Sequence, residues 1–416
     1  MKLNINKNIF IVIMLLVIVT NNLKAQTNFI WGKIFGSEKD EYVLNHVVDQ
    51  NGNLYVAGKT TGVIDNRNFG KNDGFLTKID SSGNILWSRQ FGTSGDEDIQ
   101  WCAIDKLANV YITGSTTGDL GGKNAGKEDV FITKYDPEGK MIWTKQFGSD
   151  STDVARGIYV DNKGNTFATG NTSGKLGKVT FGKADCFIIK LDSNGNQSFS
   201  SQFGTPGDDY GYCISGGIGS DIVVCGSTWG ELAGKNKGLI DLFTGQFTEN
   251  GELLKYNQVG SEGVDIAEVV NMDQEHNIYV GGMTTGNFGG EQMGEGDAFL
   301  MKVNEKGEIL WNNQFGTINN DGLRAITINS GVTDNIFVSG IQNLPPANAY
   351  VRMYSKDGKM LWERIFTGCS GKDAKIDNKG NITHIGLTGN SVFGHLIGIH
   401  NYYIAKFKLD KVYMNK

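Results

Sequence analysis

Acidic side chains recur at two fixed positions along the chain, and their oxygens could hold a cation or accept backbone hydrogen bonds. One series follows a recurring aromatic residue by about ten positions, and the other opens a repeated segment such as DCFIIK. A Ca²⁺ ion needs roughly 6–8 clustered oxygens, whereas a group repeated in nearly every unit favours a structural role. We therefore predict no metal and expect these carboxylates to accept N–H bonds at strand ends. The first series is Glu41, Glu97, Asp153, Asp209, Asp265 and Asp321, with Asp373 as a possible substitute in the last copy. The second series is Asp73, Asp129, Asp185, Asp241 and Asp297, replaced by Asn348 and Asn401 in the last two copies.

A second group of residues varies where its surroundings repeat. Three positions after each acid of the first series, the copies carry unrelated side chains, and several aromatic residues nearby have no counterpart in other copies. Aromatic groups beside charges suit sugars or peptides, so we predict a ligand-binding site; drift at positions without structural duty remains an alternative. The predicted site comprises Gln100, Trp101, Arg156, Tyr210, Tyr212, Trp229, Glu268 and Arg324.

Catalytic motifs cannot be assigned from this sequence. His384, His395 and His400 all fall in the last copy, but they match no metal-ligand spacing. Gly-rich loops such as residues 116–126 are not followed by a helix whose N-terminus could hold a phosphate. No Ser/His/Asp or Cys/His set stands out, so we predict no catalytic residue and no cofactor.

One stretch sets the spacing of all these positions. Its clearest copy begins WTKQFG at Trp143, and the opening recurs at intervals of 51 to 57 residues. Self-similarity at a nearly fixed period indicates a repeat architecture. The seven copies open at Trp31, Trp87, Trp143, Phe199, Tyr256, Trp311 and Trp362.

Each copy is typical of four short strands. In the third copy, GIYVD, TFATG, CFIIKLD and QSFSSQFG are separated by turn or loop residues, and no helical period occurs. The pattern predicts an all-β, seven-bladed β-propeller with four antiparallel strands per blade. Residues 29–35 form a lone fourth-type strand, and the last copy lacks one. We expect 29–35 to close the ring by pairing with 402–409, which would hide two open edges.

The repeats carry the motifs of a known family. GNLYVAGKT with DGFLTK, and GNTFATGNT with DCFIIK, show the pattern most fully, whereas DLFTGQ, NAYVRM and NYYIAK depart from it. These units resemble the bacterial seven-bladed β-propeller repeat family with SBBP-type repeats, over about residues 29–410. The resemblance implies an extracytoplasmic scaffold and supplies no catalytic residues.

The N-terminus predicts export. Lys2 and Lys7 precede an eleven-residue apolar run, Ile9–Val19, and Ala25 precedes Gln26. Eleven residues are few for a membrane span, so we predict a signal peptide over residues 1–25 and a propeller over 26–416; an uncleaved anchor is the alternative. The mature protein is expected to be periplasmic, on the cell surface or secreted, without stable membrane insertion.

Net charge and cysteine spacing exclude one class of partner and predict the state of the thiols. The formal charge is −6, which argues against a nucleic-acid partner. Five scattered cysteines without CxxC spacing predict buried free thiols. Our alignment places Ile214 opposite Cys225, so Cys213 and Cys225 are expected on opposite faces of their hairpin.

These observations favour an exported binding or scaffold module for a protein, peptide or carbohydrate. The partner would contact the face that carries the acidic and Gly-rich loops, at the mouth of the central channel. The alternatives are a lyase- or hydrolase-type enzyme at that mouth, and a purely structural surface protein.

Overall fold

A computed structural model describes residues 29–217, 221–328, 333–398 and 400–409. Over these ranges the chain forms 28 β-strands in seven four-stranded sheets. The predicted signal peptide, residues 1–25, lies outside them. The first fourteen strands are β1 (Phe29–Phe35), β2 (Glu41–Val48), β3 (Leu54–Thr60), β4 (Asp73–Ile79), β5 (Ile85–Phe91), β6 (Glu97–Ile104), β7 (Val110–Thr116), β8 (Asp129–Tyr135), β9 (Met141–Phe147), β10 (Asp153–Val160), β11 (Thr166–Thr172), β12 (Asp185–Leu191), β13 (Gln197–Phe203) and β14 (Asp209–Gly216). The others are β15 (Ile222–Thr228), β16 (Asp241–Phe247), β17 (Leu253–Val259), β18 (Asp265–Met272), β19 (Ile278–Thr284), β20 (Asp297–Val303), β21 (Ile309–Phe315), β22 (Asp321–Ile328), β23 (Ile336–Gln342), β24 (Asn348–Tyr354), β25 (Met360–Thr367), β26 (Cys369–Ile376), β27 (Asn381–Thr388) and β28 (Asn401–Lys408).

The sheets are the blades of a seven-bladed propeller, as predicted. Blades I to VI are consecutive meanders, β2–β5 through β22–β25, and blade VII consists of β26, β27, β28 and β1. In blade VII, β1 pairs antiparallel with β28, with Phe35 opposite Tyr402 and Phe29 opposite Phe407. The N-terminal strand therefore closes the ring and covers the edge that β28 would otherwise expose.

The apolar cores lie between neighbouring blades. The middle strands are buried on both faces; every residue of β7 and β8 is buried. Ile132 of blade II packs in one cluster with Phe187 of blade III. Each blade thus needs its neighbours to bury its faces, which is why the repeat must close. No helix in the described ranges is long and apolar enough to cross a membrane.

The innermost strands line the channel, and each has a β-bulge at the same place. The inner strands β2, β6, β10, β14, β18, β22 and β26 contact one another in a closed ring. In β10 the register shifts between Ala155 and Gly157, which leaves Arg156 without a partner residue on β11. A bulge of this kind adds one residue and re-aims its side chain. The seven bulge residues are Leu44, Gln100, Arg156, Tyr212, Glu268, Arg324 and Lys372.

The bulge corrects the prediction for the cysteine hairpin. Cys213 lies opposite Cys225, and Ile214 lies opposite Val224. The prediction was wrong because it counted residues evenly, whereas the bulge at Tyr212 shifts the pairing by one. All five cysteines are buried free thiols, as predicted.

The recurring tryptophan joins one blade to the next. Trp87 Nε1 donates to the carbonyl of Pro137, 3.2 Å away in the following blade. Its ring lies against Gly139, whose φ of 78° is a left-handed conformation in the turn between β8 and β9. The same contact joins Trp31 to Ser81, Trp143 to Ser193 and Trp311 to Lys356.

Candidate functional site

The bulge residues converge on one cavity in the central channel. Its volume is about 210 Å³. The bulge makes this possible, because it turns one side chain of every inner strand towards the channel axis. The lining residues are Leu44, Gln100, Trp101, Arg156, Tyr212, Glu268, Arg324 and Lys372.

Six of the eight predicted site residues line this cavity. The other two, Tyr210 and Trp229, lie beside it and connect to it through aromatic contacts. The Tyr210 ring is 5.3 Å from the Trp229 ring and 6.4 Å from the Tyr212 ring, measured between centroids. Trp229 is 39% exposed, so the three rings form a path from the surface to the channel mouth.

Lys372 was missed by the sequence argument. The last copy is shorter between its opening tryptophan and its inner strand. The spacing from Trp143 to Arg156, counted from Trp362, therefore passes the equivalent position. Counting backward would have found it, because Arg156 and Lys372 each stand eight residues before a turn glycine, Gly164 and Gly380. The same shortening made Asp373 a wrong substitute for the ring acid: Cys369 opens the strand where the other blades have an acid.

The cavity carries an excess of positive charge. Arg324 forms an ion pair with Glu268. Arg156 donates from Nε to Asn171 Oδ1 at 3.0 Å and lies over the Tyr212 ring, 5.2 Å from its centroid. Neither Arg156 nor Lys372 forms an ion pair with an acid in the described part of the chain.

Lys372 is also perturbed by its position. Burial, and then the neighbouring Arg324 guanidinium, lower the pKa of the Lys372 ammonium, and Glu268 opposes this. A cation held in a partly buried place beside another cation is poised either to pair with an anion or to release its proton.

Below the mouth, a buried polar cluster joins blades I and VII. His46 Nδ1 lies 2.9 Å from Asp373 Oδ2, and Lys375 Nζ donates to Asp373 Oδ1 at 2.8 Å. Burial alone would raise the pKa of Asp373, but Lys375 and His46 hold it well below its usual range. Asn45 and Thr383 complete the contacts. The cluster is buried and internally bonded, so we assign it to ring closure.

The three histidines of the last copy do not form a cluster. His384 is buried and bonded to Ser339 and Tyr403, and burial lowers its pKa to about 3. His400 lies 2.9 Å from Asp40 at the surface. Over the described ranges, no group of three or more His, Cys, Asp or Glu side chains is placed to hold a metal ion.

Both acidic series bind backbone donors at strand ends, as predicted. Asp209 Oδ2 accepts from the Thr205 amide at 2.6 Å and its hydroxyl at 2.9 Å. Asp185 Oδ2 accepts from the Phe181 amide at 2.8 Å and from Gln202 Nε2 at 2.8 Å. Gln202 also donates to Gly174 O, so the recurring glutamine ties the Gly-rich loop to the second acidic series.

A second, larger concavity lies between the Gly-rich loops of blades IV and V. Its volume is about 1140 Å³, and Lys235, Lys237 and Gln292 are among its lining residues. Sequence reasoning did not single out this groove, because its loops repeat in the other blades. It shares the long-loop side with the channel mouth.

Two stretches of the chain, residues 86–121 and 142–178, match the family described as SBBP, beta-propeller repeat. These are SBBP repeats. The regulatory protein FlaEY of Caulobacter vibrioides is 25% identical over 223 residues, which make up 47% of this chain and 22% of FlaEY. The matched part of the chain therefore spans less than a quarter of that relative's length.

Solved propellers share the fold of this chain at low sequence identity. The WD40 β-propeller domain of Doa1 is 11% identical, with 92% of this chain and 98% of that domain covered at a TM-score of 0.54. An ulvan lyase of polysaccharide lyase family PL25 is 12% identical, with coverage of 89% and 95% and a TM-score of 0.53. At these identities the likeness concerns the fold alone.

Proposed function

We propose that the protein is an exported binding module whose channel mouth takes one acidic group of a carbohydrate or peptide. The convergence of seven bulge residues of six types on one cavity carries this proposal. In a propeller built from repeats, the channel mouth is the place where one residue from every blade meets the others.

Cavity size limits the ligand. Small-molecule sites usually measure about 300–1,000 Å³, so a cavity of about 210 Å³ suits a single sugar ring or side chain rather than a whole ligand. The remainder of the ligand would lie over the long-loop face, along the path marked by Tyr212, Tyr210 and Trp229.

Charge favours an acidic group. Arg156 and Lys372 have no acidic partner among the described residues, and a carboxylate or sulfate would give each a charge-assisted hydrogen bond. Aromatic rings beside them would pack against the apolar face of a sugar. A uronic acid residue, or an acidic side chain of a peptide, combines these features.

A binding assay tests the proposal. We expect acidic oligosaccharides or acidic peptides to bind in isothermal titration calorimetry, and neutral analogues to bind at least about tenfold more weakly. The double variant Trp101→Ala with Arg156→Ala should abolish binding and keep the fold, as measured by circular dichroism, with a lower unfolding temperature because Trp101 packs against two core clusters.

A matched control lies on the opposite face. Lys106→Ala with Leu107→Ala removes an exposed cation and an exposed apolar side chain from a short turn. This control should bind like the unmodified protein. Full binding by the Trp101/Arg156 double variant would contradict the proposal and favour a scaffold that uses its outer edges.

A lyase-type enzyme is the second candidate, and the lowered pKa of Lys372 favours it. In β-elimination, a base removes the C5 proton next to a uronate carboxylate while cations stabilise the charge that develops, the glycosidic C4–O bond breaks to leave a C4–C5 double bond, and the leaving oxygen takes a proton from solvent. Lys372 would be the base, with Arg156 and Arg324 on the carboxylate. Incubation with uronic acid polymers should then produce unsaturated ends, and Lys372→Gln should prevent it. Binding without product formation would contradict the lyase hypothesis and support the binding module.

Export is part of the proposal and has its own test. It rests on the apolar run at Ile9–Val19 and the small residue Ala25. Mass spectrometry of protein expressed with its own N-terminus should find mature chains that begin at Gln26. Retention of residues 1–25 would indicate an anchor instead.

A further inference from the structure

Each of five junctions between blades brings together one acid from each series across a glycine. At the junction of blades III and IV, Asp185 Oδ1 and Asp209 Oδ2 lie 2.7 Å and 2.8 Å from the position that a Cβ on Gly204 would occupy. Both side chains are almost fully buried. The five acid pairs are Asp73 with Glu97, Asp129 with Asp153, Asp185 with Asp209, Asp241 with Asp265, and Asp297 with Asp321.

One oxygen of the second acid has no hydrogen-bond partner. Asp185 uses Oδ2 for the Phe181 amide and for Gln202, while its buried Oδ1 has no partner in the described chain. Over the described ranges, the same oxygen is also without a partner in Asp129, Asp241 and Asp297, whereas Asp73 Oδ1 accepts from the Gly70 amide at 3.1 Å. In the first acids Asp153, Asp209 and Asp321, one oxygen likewise has no partner there. A buried carboxylate oxygen with neither solvent nor donor is costly, so a recurring one needs an explanation.

The junction that closes the ring supplies the explanation. There Asn401 stands in place of the second acid and faces Glu41 of the first series. Its Oδ1 accepts from the Ile397 amide at 2.8 Å, as Asp185 Oδ2 accepts from Phe181. Its Nδ2 therefore takes the place of the unpartnered oxygen, and it donates to Glu41 Oε2 at 3.2 Å and to Ser37 O at 3.3 Å.

An amide nitrogen at this place shows that the surroundings accept hydrogen bonds. A protonated carboxyl group has the same shape as an amide and donates from the same position. We propose that each of the four pairs with an unpartnered Oδ1 holds one proton, which is shared between that oxygen and the carboxylate of the first acid. The protein then carries four proton-sharing acid pairs at neutral pH.

The electrostatics of the pair agree with one shared proton. Burial raises the pKa of Asp209, with a further contribution from the charge of Asp185, so the two acids resist full ionisation together. The titratable side chains that face the pair are Cys186 and Tyr256, and burial raises the pKa of both, so they remain neutral. Among charged groups close in the chain, Lys183 is exposed and Asp208 is half-buried.

A cation would explain the unpartnered oxygens less well. Calcium sites gather about 6–8 oxygens, and an amide nitrogen cannot replace a ligand oxygen, whereas Asn401 occupies this place at the closing junction. The seventh junction has Asn348 and Cys369 in place of the two acids, so it carries no charge to neutralise.

Two opposite substitutions test the proton. Asp185→Asn replaces one member of a proton-sharing pair by a permanent donor, and Asn401→Asp creates a sixth acid pair against Glu41. Because a group with a raised folded pKa stabilises the protein at low pH and loses this effect as pH rises, the differences should grow with pH. From about pH 4 to about pH 9, Asp185→Asn should gain unfolding temperature over the unmodified protein, and Asn401→Asp should lose it.

Infrared spectroscopy gives a direct measurement on the full chain. The carbonyl band of protonated carboxyl groups should be present at neutral pH and weaker in Asp185→Asn. Absence of this band in the unmodified protein overturns the proposal even if a variant fails to fold. A loss of stability by Asp185→Asn at every pH overturns it too. Calcium chloride that stabilises the unmodified protein but not Asp185→Asn would show a cation site instead.

Discussion

At the residue scale, each acid of the first series caps the beginning of an inner strand because it accepts several hydrogen bonds there. Asp153 is fully buried and accepts from both the backbone amide and the hydroxyl of Ser149. Glu41 and Glu97 do the same with one more methylene, and a threonine on the next strand donates to each. The repeated acid is therefore a terminal cap for the inner strand, which explains its recurrence better than a metal does.

Removal of this cap should cost stability without changing the fold. Asp153→Ala leaves the Ser149 amide buried and unsatisfied, so we expect the free energy of unfolding to fall by about 1–3 kcal/mol. Chemical denaturation monitored by tryptophan fluorescence measures the change. Calcium and a chelator should leave the melting temperature of the unmodified protein unchanged. A chelator-dependent melting curve would contradict this cap and restore the metal ring.

At the element scale, two features recur in the strands. The inner strands have a β-bulge, and four outer strands have a tryptophan that hydrogen-bonds to a turn of the next blade, which we call the tryptophan clasp. The bulge gives each blade one residue without a partner residue on the neighbouring strand, and the side chains at this position differ between blades. The clasp fixes neighbouring blades, since Trp87 meets the turn at Gly139 and Trp143 meets the turn at Gly195. The tryptophan contact lies on the outer strand of four blades, whereas the bulge lies on the inner strand of all seven.

The clasp depends on a glycine in a left-handed conformation. An alanine at Gly139 would adopt an unfavourable φ, and its Cβ would lie 2.9 Å from the Trp87 ring. We expect Gly139→Ala to lower the free energy of unfolding by at least about 1–2 kcal/mol. Gly234→Ala is the control, because a Cβ there meets no atom within 4 Å. Equal unfolding temperatures for the two variants would show that the clasp adds nothing.

At the scale of the whole molecule, the ring is closed by strands from opposite ends of the chain. The junction between β1 and β28 packs Phe35 against Tyr402, with ring centroids 5.5 Å apart. His46 and Asp373 join blades I and VII from the inner side. Closure therefore combines hydrogen bonds, aromatic packing and a buried ion cluster.

Deletion of residues 26–37 should expose the edge of β28 and the aromatic side chains beneath it. We expect aggregation in size-exclusion chromatography, because unpaired strand edges recruit other chains. Deletion of residues 411–416, which removes no described strand, serves as the control. A soluble monomer with an unchanged melting temperature after the first deletion would show that β1 is dispensable.

The sequence by itself determined the architecture. Local geometry is encoded by the short strands, by turns of Gly, Asn and Asp, and by an almost constant period. These patterns predicted the number of blades and the role of residues 29–35. Six of the eight predicted site residues line the cavity because equivalent positions of a repeat converge on the axis. Their role in binding stays a prediction.

Only the tertiary structure determined which residues pair between strands and which residues meet between blades. One extra residue per inner strand placed Cys213 opposite Cys225 and turned Lys372 into the channel, and even counting along the chain does not show a bulge. The pairing of Asp185 with Asp209 depends on two blades that meet across Gly204. A carboxyl group takes its charge state from such neighbours, and these neighbours come together only when consecutive blades pack against each other.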